Sequence, residues 1–296
     1  MHMSKILSNT RVQAVLAIIA AMVSVQAGAA LAKHLFQSLS PQGITSFRLL
    51  FAFIILFITW RPWRNWPARK EWKSIIFYGI SLGCMNLLFY LAIARIPLGI
   101  AVALEFTGPL AIALLASKRP RDFIWVITAV PGILLLLPIT SFNERLDPLG
   151  ILYAFCAALC WALYIVFGKK TSKAVHSGTA VTLGMCVGSM VTFPIGVIQA
   201  GSAIFAPAIL PLVFLVAVLA SSIPCSLEMI ALGNLPAHTF SILMSLEPAI
   251  ATLSGALFLN EHLTFLQCFA IALIILSSIG STWFTDMAQT TPEIAP

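Results

Sequence analysis

The sequence is short of charge. Asp, Glu, Lys and Arg make up only 9% of its 296 residues, against about 25% in soluble globular chains. So few charged side chains could not cover a water-facing surface, which excludes an ordinary soluble domain. Histidine is scarce as well, with five in all and none inside an apolar run. An intramembrane enzyme would need a nucleophile–base pair or a ligand cluster within those runs, and no such set is present. Long polar connections are also missing: the longest, Arg61 to Lys73, has 13 residues. That leaves no room for a separate catalytic or nucleic-acid-binding domain. The six cysteines, Cys84, Cys156, Cys160, Cys186, Cys225 and Cys268, all fall in apolar stretches and form no disulfide framework. Cys156 and Cys160 share a helix face, but no further ligand joins them at metal spacing, and they read as small packing residues.

What the chain has in abundance is apolar sequence, 60% of its residues. Ten runs stand out, at about 12–32, 43–60, 74–94, 98–117, 123–140, 149–167, 179–199, 209–230, 239–259 and 265–284. They are continuous rather than alternating, which indicates helices and not barrel strands. The expected fold is an all-α polytopic membrane protein with ten transmembrane helices. Local signals agree. Asp147-Pro148 reads as an N-cap followed by proline at the first helical position. Thr264 and Gln267 have capping-box spacing before the last run. The first run follows Lys5 and Arg11 and ends in Ala27 and Ala29, as a signal peptide would. Its length and its later counterpart favour a retained span.

The positive charges are unevenly placed. Thirteen of the 17 Lys and Arg fall on the side of the N-terminus, while Lys33, Arg95 and Arg145 lie opposite and Arg48 lies within the second run. By the positive-inside rule both termini are expected in the cytoplasm. The net +7 is therefore a topology signal, and no nucleic-acid partner is expected. Trp60, Trp63, Trp66 and Trp72 flank the basic loop as interface anchors. His176, His238 and His262 sit at run edges, where water reaches them.

The chain also repeats itself. Ile96-Pro97 and Leu235-Pro236 each precede an apolar run, and twelve residues after each proline comes a second, Pro109 and Pro248. At that offset of 139, Leu91-Ala92-Ile93-Ala94 aligns with Ile230-Ala231-Leu232-Gly233; at 136, Lys33 aligns with Lys169. The expected units are residues 1–140 and 141–284, each with five spans, and a cytoplasmic tail at 285–296. Five is odd, so the second half enters the membrane inverted. Inverted repeats with a midplane site between them are a recurring design of secondary transporters.

Four ionisable residues lie within the runs: Arg48, Glu105, Glu228 and Glu247. Each costs about 2.5–3.5 kcal/mol at a helix centre. Arg48 and Glu105 share a depth of roughly 8 Å from one end of their spans. They read either as a structural salt bridge between neighbouring helices or as groups that alternately bind each other and a zwitterion. Pro109 follows Glu105 by four residues and removes the hydrogen bond to its carbonyl, and Gly108 loosens the same turn. Pro248 does the same for Met244, beside Glu247. Matched interruptions in the two halves point to a binding site. Glu247 stands roughly 12 Å into its span, close to the midplane, and is the candidate proton carrier. Glu228 lies near the cytoplasmic end of its run and either snorkels or faces the site. Asn86 and Tyr90 share a face and either bind substrate or join helices.

Three blocks carry a family resemblance: Gly99 to Ala111, Ser226 to Leu232, and Met244 to Ala249. They closely resemble the EamA branch of the drug/metabolite transporter superfamily, and Leu259 to Thr264 extends the likeness over nearly the whole chain. The resemblance implies a bacterial inner-membrane transporter, not an enzyme. It implies two inverted five-helix repeats, cytoplasmic termini, a central cavity in the lipid bilayer, and alternating access driven by an ion gradient. It implies no cofactor, the proton being the expected coupling ion. Carried over by position, Glu105, Glu228 and Glu247 with Gly108, Pro109 and Pro248 are its motif residues. Apart from the resemblance, if an amino acid is exported, Arg48 is the group expected to orient its carboxylate. Threonine and homoserine as exported substrates rest on the resemblance alone. Efflux of another metabolite or a cationic compound is the competing expectation.

Overall fold

The structure, a computed structural model, describes residues 2–116, 123–136, 146–172, 174–201, 205–234, 240 and 243–289. Lys118, Arg119, Arg121, Arg145, Lys173, Pro236 and His238 lie outside that set, as do the last residues of the tail. Among the described residues all regular structure is helical. The first half contains α1 (His2–Leu35), α2 (Pro41–Trp60), α3 (Trp72–Ile93), α4 (Leu98–Glu105), α5 (Thr107–Ala116) and α6 (Phe123–Leu136). The second contains α7 (Pro148–Ser172), α8 (Ser177–Ala200), α9 (Leu210–Ala217), α10 (Ile223–Asn234), α11 (Glu247–Leu259) and α12 (Phe265–Gln289).

Helix boundaries follow the local chemistry. The Ser40 hydroxyl accepts from Gly43 N at 3.2 Å, with Pro41 opening α2. The amide of Leu149 donates to Asp147 Oδ1 at 2.8 Å at the start of α7. The capping box before α12 is formed from both sides: Thr264 N donates to Gln267 Oε1 at 2.9 Å, and Gln267 N to Thr264 Oγ1 at 3.3 Å.

Three helices are interrupted. α4 stops at Glu105 and α5 begins at Thr107, where Pro109 lacks the amide hydrogen that would continue the ladder. α11 begins at Glu247 with Pro248 in its first turn, after a bend at Ser245-Leu246. The third interruption was not anticipated. Between α9 and α10 lies a π-turn, Val218–Ser222, in which Ile223 N bonds Val218 O. Pro224 supplies the local reason, since it cannot donate back to residue 220.

Six described segments are long and apolar enough to cross a bilayer: Val12–Leu35, Pro41–Trp60, Arg69–Ile93, Pro148–Ser172, Ser177–Ala200 and Leu210–Glu228. Leu98–Ile112, Glu247–Leu259 and Phe265–Ser277 are apolar but shorter. Ten uniform crossings are thus not what the described helices present. Two of the expected spans are interrupted near their prolines, Pro109 and Pro248. Large apolar side chains such as Ile58, Leu159, Ile198 and Leu257 point outward, as a lipid-facing surface requires.

The packing has an exchange symmetry. α3 packs on α7 as the π-turn and α10 pack on α1, and α3 packs on α8 as α9 packs on α2. α4 and α5 pack on α7 as α11 packs on α1, while α2–α8, α4–α11 and α6–α12 are self-matched pairs. Swapping the halves reproduces these principal pairings, as two repeats related by a two-fold axis would. Glycines permit the close crossings. A Cβ on Gly83 would lie 2.8 Å from Gly188 Cα, where α3 meets α8.

The main apolar core seals one end of the bundle. Small residues, among them Ala29, Ala32, Ala101 and Ala154, let the helices close around Ile93, Ile96, Leu98 and Ile100. A polar clasp sits on that end. Lys33 Nζ reaches Glu261 Oε1 at 2.6 Å and the carbonyl of Ile96 at 2.9 Å, while Glu261 Oε2 accepts from Leu98 N at 2.8 Å. At the opposite end Tyr78 stacks on Tyr164 with ring centroids 4.9 Å apart.

Candidate functional site

Below the sealed end the two halves enclose a cavity of about 620 Å³, within the range of about 300–1,000 Å³ usual for small-molecule sites. Its wall takes residues from α1 to α5, from α7, α8, α10 and α11, and from the π-turn before α10. Six of the residues singled out in the sequence line it: Arg48, Asn86, Glu105, Pro109, Glu228 and Glu247. The other two stand beside it. Pro248 follows Glu247 in the first turn of α11. Gly108 faces α7, where an added Cβ would lie 2.1 Å from the carbonyl oxygen of Ala158. What the structure shows at Gly108 is a close backbone approach.

Arg48 is buried, 5% exposed, and held by α3. Its Nη1 donates to the Tyr90 hydroxyl at 3.1 Å, and its Nη2 donates to Asn86 Oδ1. The guanidinium carbon lies 4.7 Å from the centre of the Tyr90 ring, a cation–π distance. Asn86 Nδ2 in turn donates to the carbonyl of Leu82 at 2.8 Å. Both ends of that amide are therefore committed, and Asn86 holds the arginine. Of the two readings of the Arg48–Glu105 depth match, the structural salt bridge is not formed. α4 packs against α7 and α11, so the helix carrying Arg48 is not its close neighbour. The ion pairs among the described residues are Lys33–Glu261 and Arg95–Asp147, both away from the cavity.

The acids come from three elements. Glu105 ends α4 at the first break, Glu247 opens α11 at the second, and Glu228 projects from α10. Glu105 and Glu247 are both buried. Glu247 Oε1 accepts from Gln26 Nε2 at 3.2 Å, which ties α1 to the second break. Aromatic rings complete the wall, with Phe106 edge-on to Trp161 at 5.6 Å.

Gln26 and Ser221, which the sequence does not single out, also line the cavity. Gln26 carried a signal, being an amide deep in the first apolar run. Ser221 carried less; only the nearby Pro224 marked its segment as irregular. Among the described residues, four buried side-chain atoms have no hydrogen-bond partner: Gln26 Oε1, Arg48 Nε, Ser221 Oγ and Glu247 Oε2. All four belong to residues of the cavity wall. An unpaired buried polar group costs about 1–3 kcal/mol, so their concentration on one wall makes this cavity the candidate binding site.

The profile of the EamA-like transporter family matches residues 12–137 and again residues 148–283. The chain belongs to the EamA-like transporter family. Among its relatives is the threonine/homoserine exporter RhtA of Salmonella typhimurium strain LT2, 48% identical over 268 residues and 90% of each chain. The RhtA of Escherichia coli K12 is 47% identical over 265 residues, again 90% of each. An uncharacterized transporter, YvbV of Bacillus subtilis, is 27% identical over 213 residues, 69% of this chain and 66% of that one. One solved crystal structure superposes with a TM-score of 0.62 at 16% identity, covering 94% of this chain and 99% of the other. That likeness concerns the fold alone.

The two EamA matches fall on the two halves that the packing symmetry separates. This EamA protein is a multi-pass membrane transporter and not an enzyme. Each EamA repeat contributes one broken helix with a carboxylate at the break, Glu105 in the first and Glu247 in the second, and both carboxylates line the shared cavity.

Proposed function

We propose that this chain exports small hydroxylated amino acids, threonine and homoserine among them, from the bacterial cytoplasm by proton antiport. The carrying observation is the cavity between the halves, which presents one guanidinium, held by Asn86 and Tyr90, together with carboxyls from separate elements. A zwitterion needs that pairing of opposite charges, whereas a simple cation needs no arginine. Relatives named as threonine/homoserine exporters support the choice of substrate.

In this reading ten helices cross the inner membrane as two inverted five-helix repeats, residues 1–140 and 141–284, with both termini cytoplasmic. The sealed end with its Lys33–Glu261 clasp is then the periplasmic face, and the cavity opens toward the cytoplasm. Arg48 receives the substrate carboxylate. Glu247 or Glu105 takes a proton from outside in exchange for the departing amino acid, and Glu228 stands on the cytoplasmic approach. Alternating access is a rocking of the two halves about the cavity.

The test is flux from proteoliposomes preloaded with labelled threonine, with and without an imposed proton gradient, in competition with homoserine, leucine and phenylalanine. Gradient-stimulated threonine efflux that homoserine competes with is the expected result. Preference for amines that lack a carboxylate would instead favour efflux of cationic compounds.

A further inference from the structure

We propose that Gln26 and Ser221 complete an amino-acid-shaped site, Gln26 joining Glu247 to bind the substrate ammonium and the Ser221 hydroxyl pairing with the hydroxyl of the substrate side chain. The assignment rests on the export reading above and goes beyond it by naming which group of the wall meets which group of the substrate.

The argument begins with what each unpaired atom can do. Arg48 Nε only donates, Gln26 Oε1 only accepts, and Ser221 Oγ does both. Glu247 Oε2, when ionised, accepts. Gln26 and Glu247 are already joined through Nε2 and Oε1 at 3.2 Å, which turns the amide nitrogen toward the carboxylate and leaves one free acceptor on each. Two acceptors on paired side chains suit an ammonium, which brings three donors and no acceptor. Gln26 is 1% exposed, and an amide in the middle of an apolar helix has no packing reason to be there.

Ser221 is unusual among its neighbours. Ser24 donates to the carbonyl of Leu219 at 2.7 Å, Ser222 to that of Ala217 at 3.4 Å, and Ser226 to that of Ser222 at 2.8 Å. Ser222 and Ser226 use a carbonyl of their own helical segment, as serines in apolar helices do, and Ser24 uses one across the helix interface. Ser221 does not, although it is only 3% exposed. It sits in the π-turn, where the backbone ladder has slipped by one residue, and that turn packs on α1, the helix of Gln26. π-turns recur at functional sites because they free polar groups for other partners. A hydroxyl set aside in the wall of an amino-acid cavity distinguishes threonine from valine, which has nearly the same shape and no hydroxyl.

The test compares threonine and valine as competitors of labelled threonine counterflow in proteoliposomes, for the full chain and for Ser221→Ala, Ser221→Cys and Gln26→Leu. One hydroxyl pair corresponds to a factor of about 3–10 in affinity. Ser221→Ala should therefore narrow the threonine-over-valine preference by about that factor, mostly through weaker threonine. Ser221→Cys, close in volume but a weak donor, should give the same narrowing and guards against a folding defect in the alanine variant. Gln26→Leu should weaken threonine and valine together, since both carry the ammonium. An unchanged threonine:valine ratio in folded Ser221→Ala and Ser221→Cys overturns the hydroxyl assignment while leaving export intact. Unaltered affinity in folded Gln26→Leu overturns the ammonium assignment in the same way. Absence of threonine flux in the unaltered chain is the distinct outcome that removes the export reading, and these assignments with it.

Discussion

Glu261 lies between α11 and α12, outside the cavity, yet it closes the sealed end of the bundle. One carboxylate oxygen takes Lys33 Nζ at 2.6 Å, and the other takes the first amide of α4, Leu98 N, at 2.8 Å. The Lys33 and Glu261 side chains are 22% and 13% exposed. Exposed pairs contribute about 0.2–1 kcal/mol, and breaking a buried pair costs about 3–5 kcal/mol. A mostly covered pair falls between, at about 2 kcal/mol. Glu261→Gln keeps an acceptor for Leu98 N and loses the charge opposite Lys33. Glu261→Ala loses the acceptor as well, adding about 0.5–2 kcal/mol for an uncapped helix start. At 1.4 kcal/mol per decade, the first variant should open the first turn of α4 about 30-fold more often. The second should open it on the order of 100-fold or more.

Hydrogen exchange read by mass spectrometry on the reconstituted protein measures this opening, through the peptide that carries Leu98 and the first turn of α4. The first turn of α2 is capped independently by Ser40 and serves as the reference. Exchange at α4 should accelerate in the order wild type, Gln, Ala, with α2 unchanged. Equal exchange in all three proteins would refute the clasp. Equal acceleration of α4 and α2 would refute its locality and point to global loss of stability.

The remaining expectations concern coupling, packing and pH. Glu247→Gln should abolish gradient-driven threonine efflux while leaving expression and folding intact; efflux persisting at the normal rate would show that Glu247 is not the sole proton carrier. Gly108→Ala should destabilise by about 1–3 kcal/mol or more, because the new methyl would lie 2.1 Å from the Ala158 carbonyl of α7; an unchanged melting temperature would mean that α5 shifts freely against α7. At the Arg95–Asp147 pair, the hydrogen bond from Arg95 holds the Asp147 carboxyl below its usual range. A carboxyl depressed in the folded state contributes stability above its unfolded value of about 3.9, and that contribution is lost as pH falls through the lower folded value. Asp147→Asn should therefore melt lower than wild type at neutral pH, and the difference should vanish in strong acid. A difference that persists there would count against the charge as its source.

Much of this protein was legible one residue at a time. Continuous apolar runs have only helices to form in lipid, because every backbone amide must find its partner within the segment. The caps at Asp147 and at Thr264–Gln267, and the breaks at Pro109 and Pro248, are local chemistry. The sequence also named the buried charges, since an ionisable group in an apolar run is conspicuous. It could not say what they bind. Arg48 was matched by depth to Glu105, but it rests on Asn86 and Tyr90. Gln26 meets Glu247 across 221 residues, and Lys33 meets Glu261 across 228. Ser221 became notable only once its neighbours were seen to be satisfied. A hydrogen bond acts over about 3 Å, so a buried polar side chain states a need that composition and spacing reveal. Which group answers it depends on how the helices of the two halves cross, and that the tertiary structure alone decides.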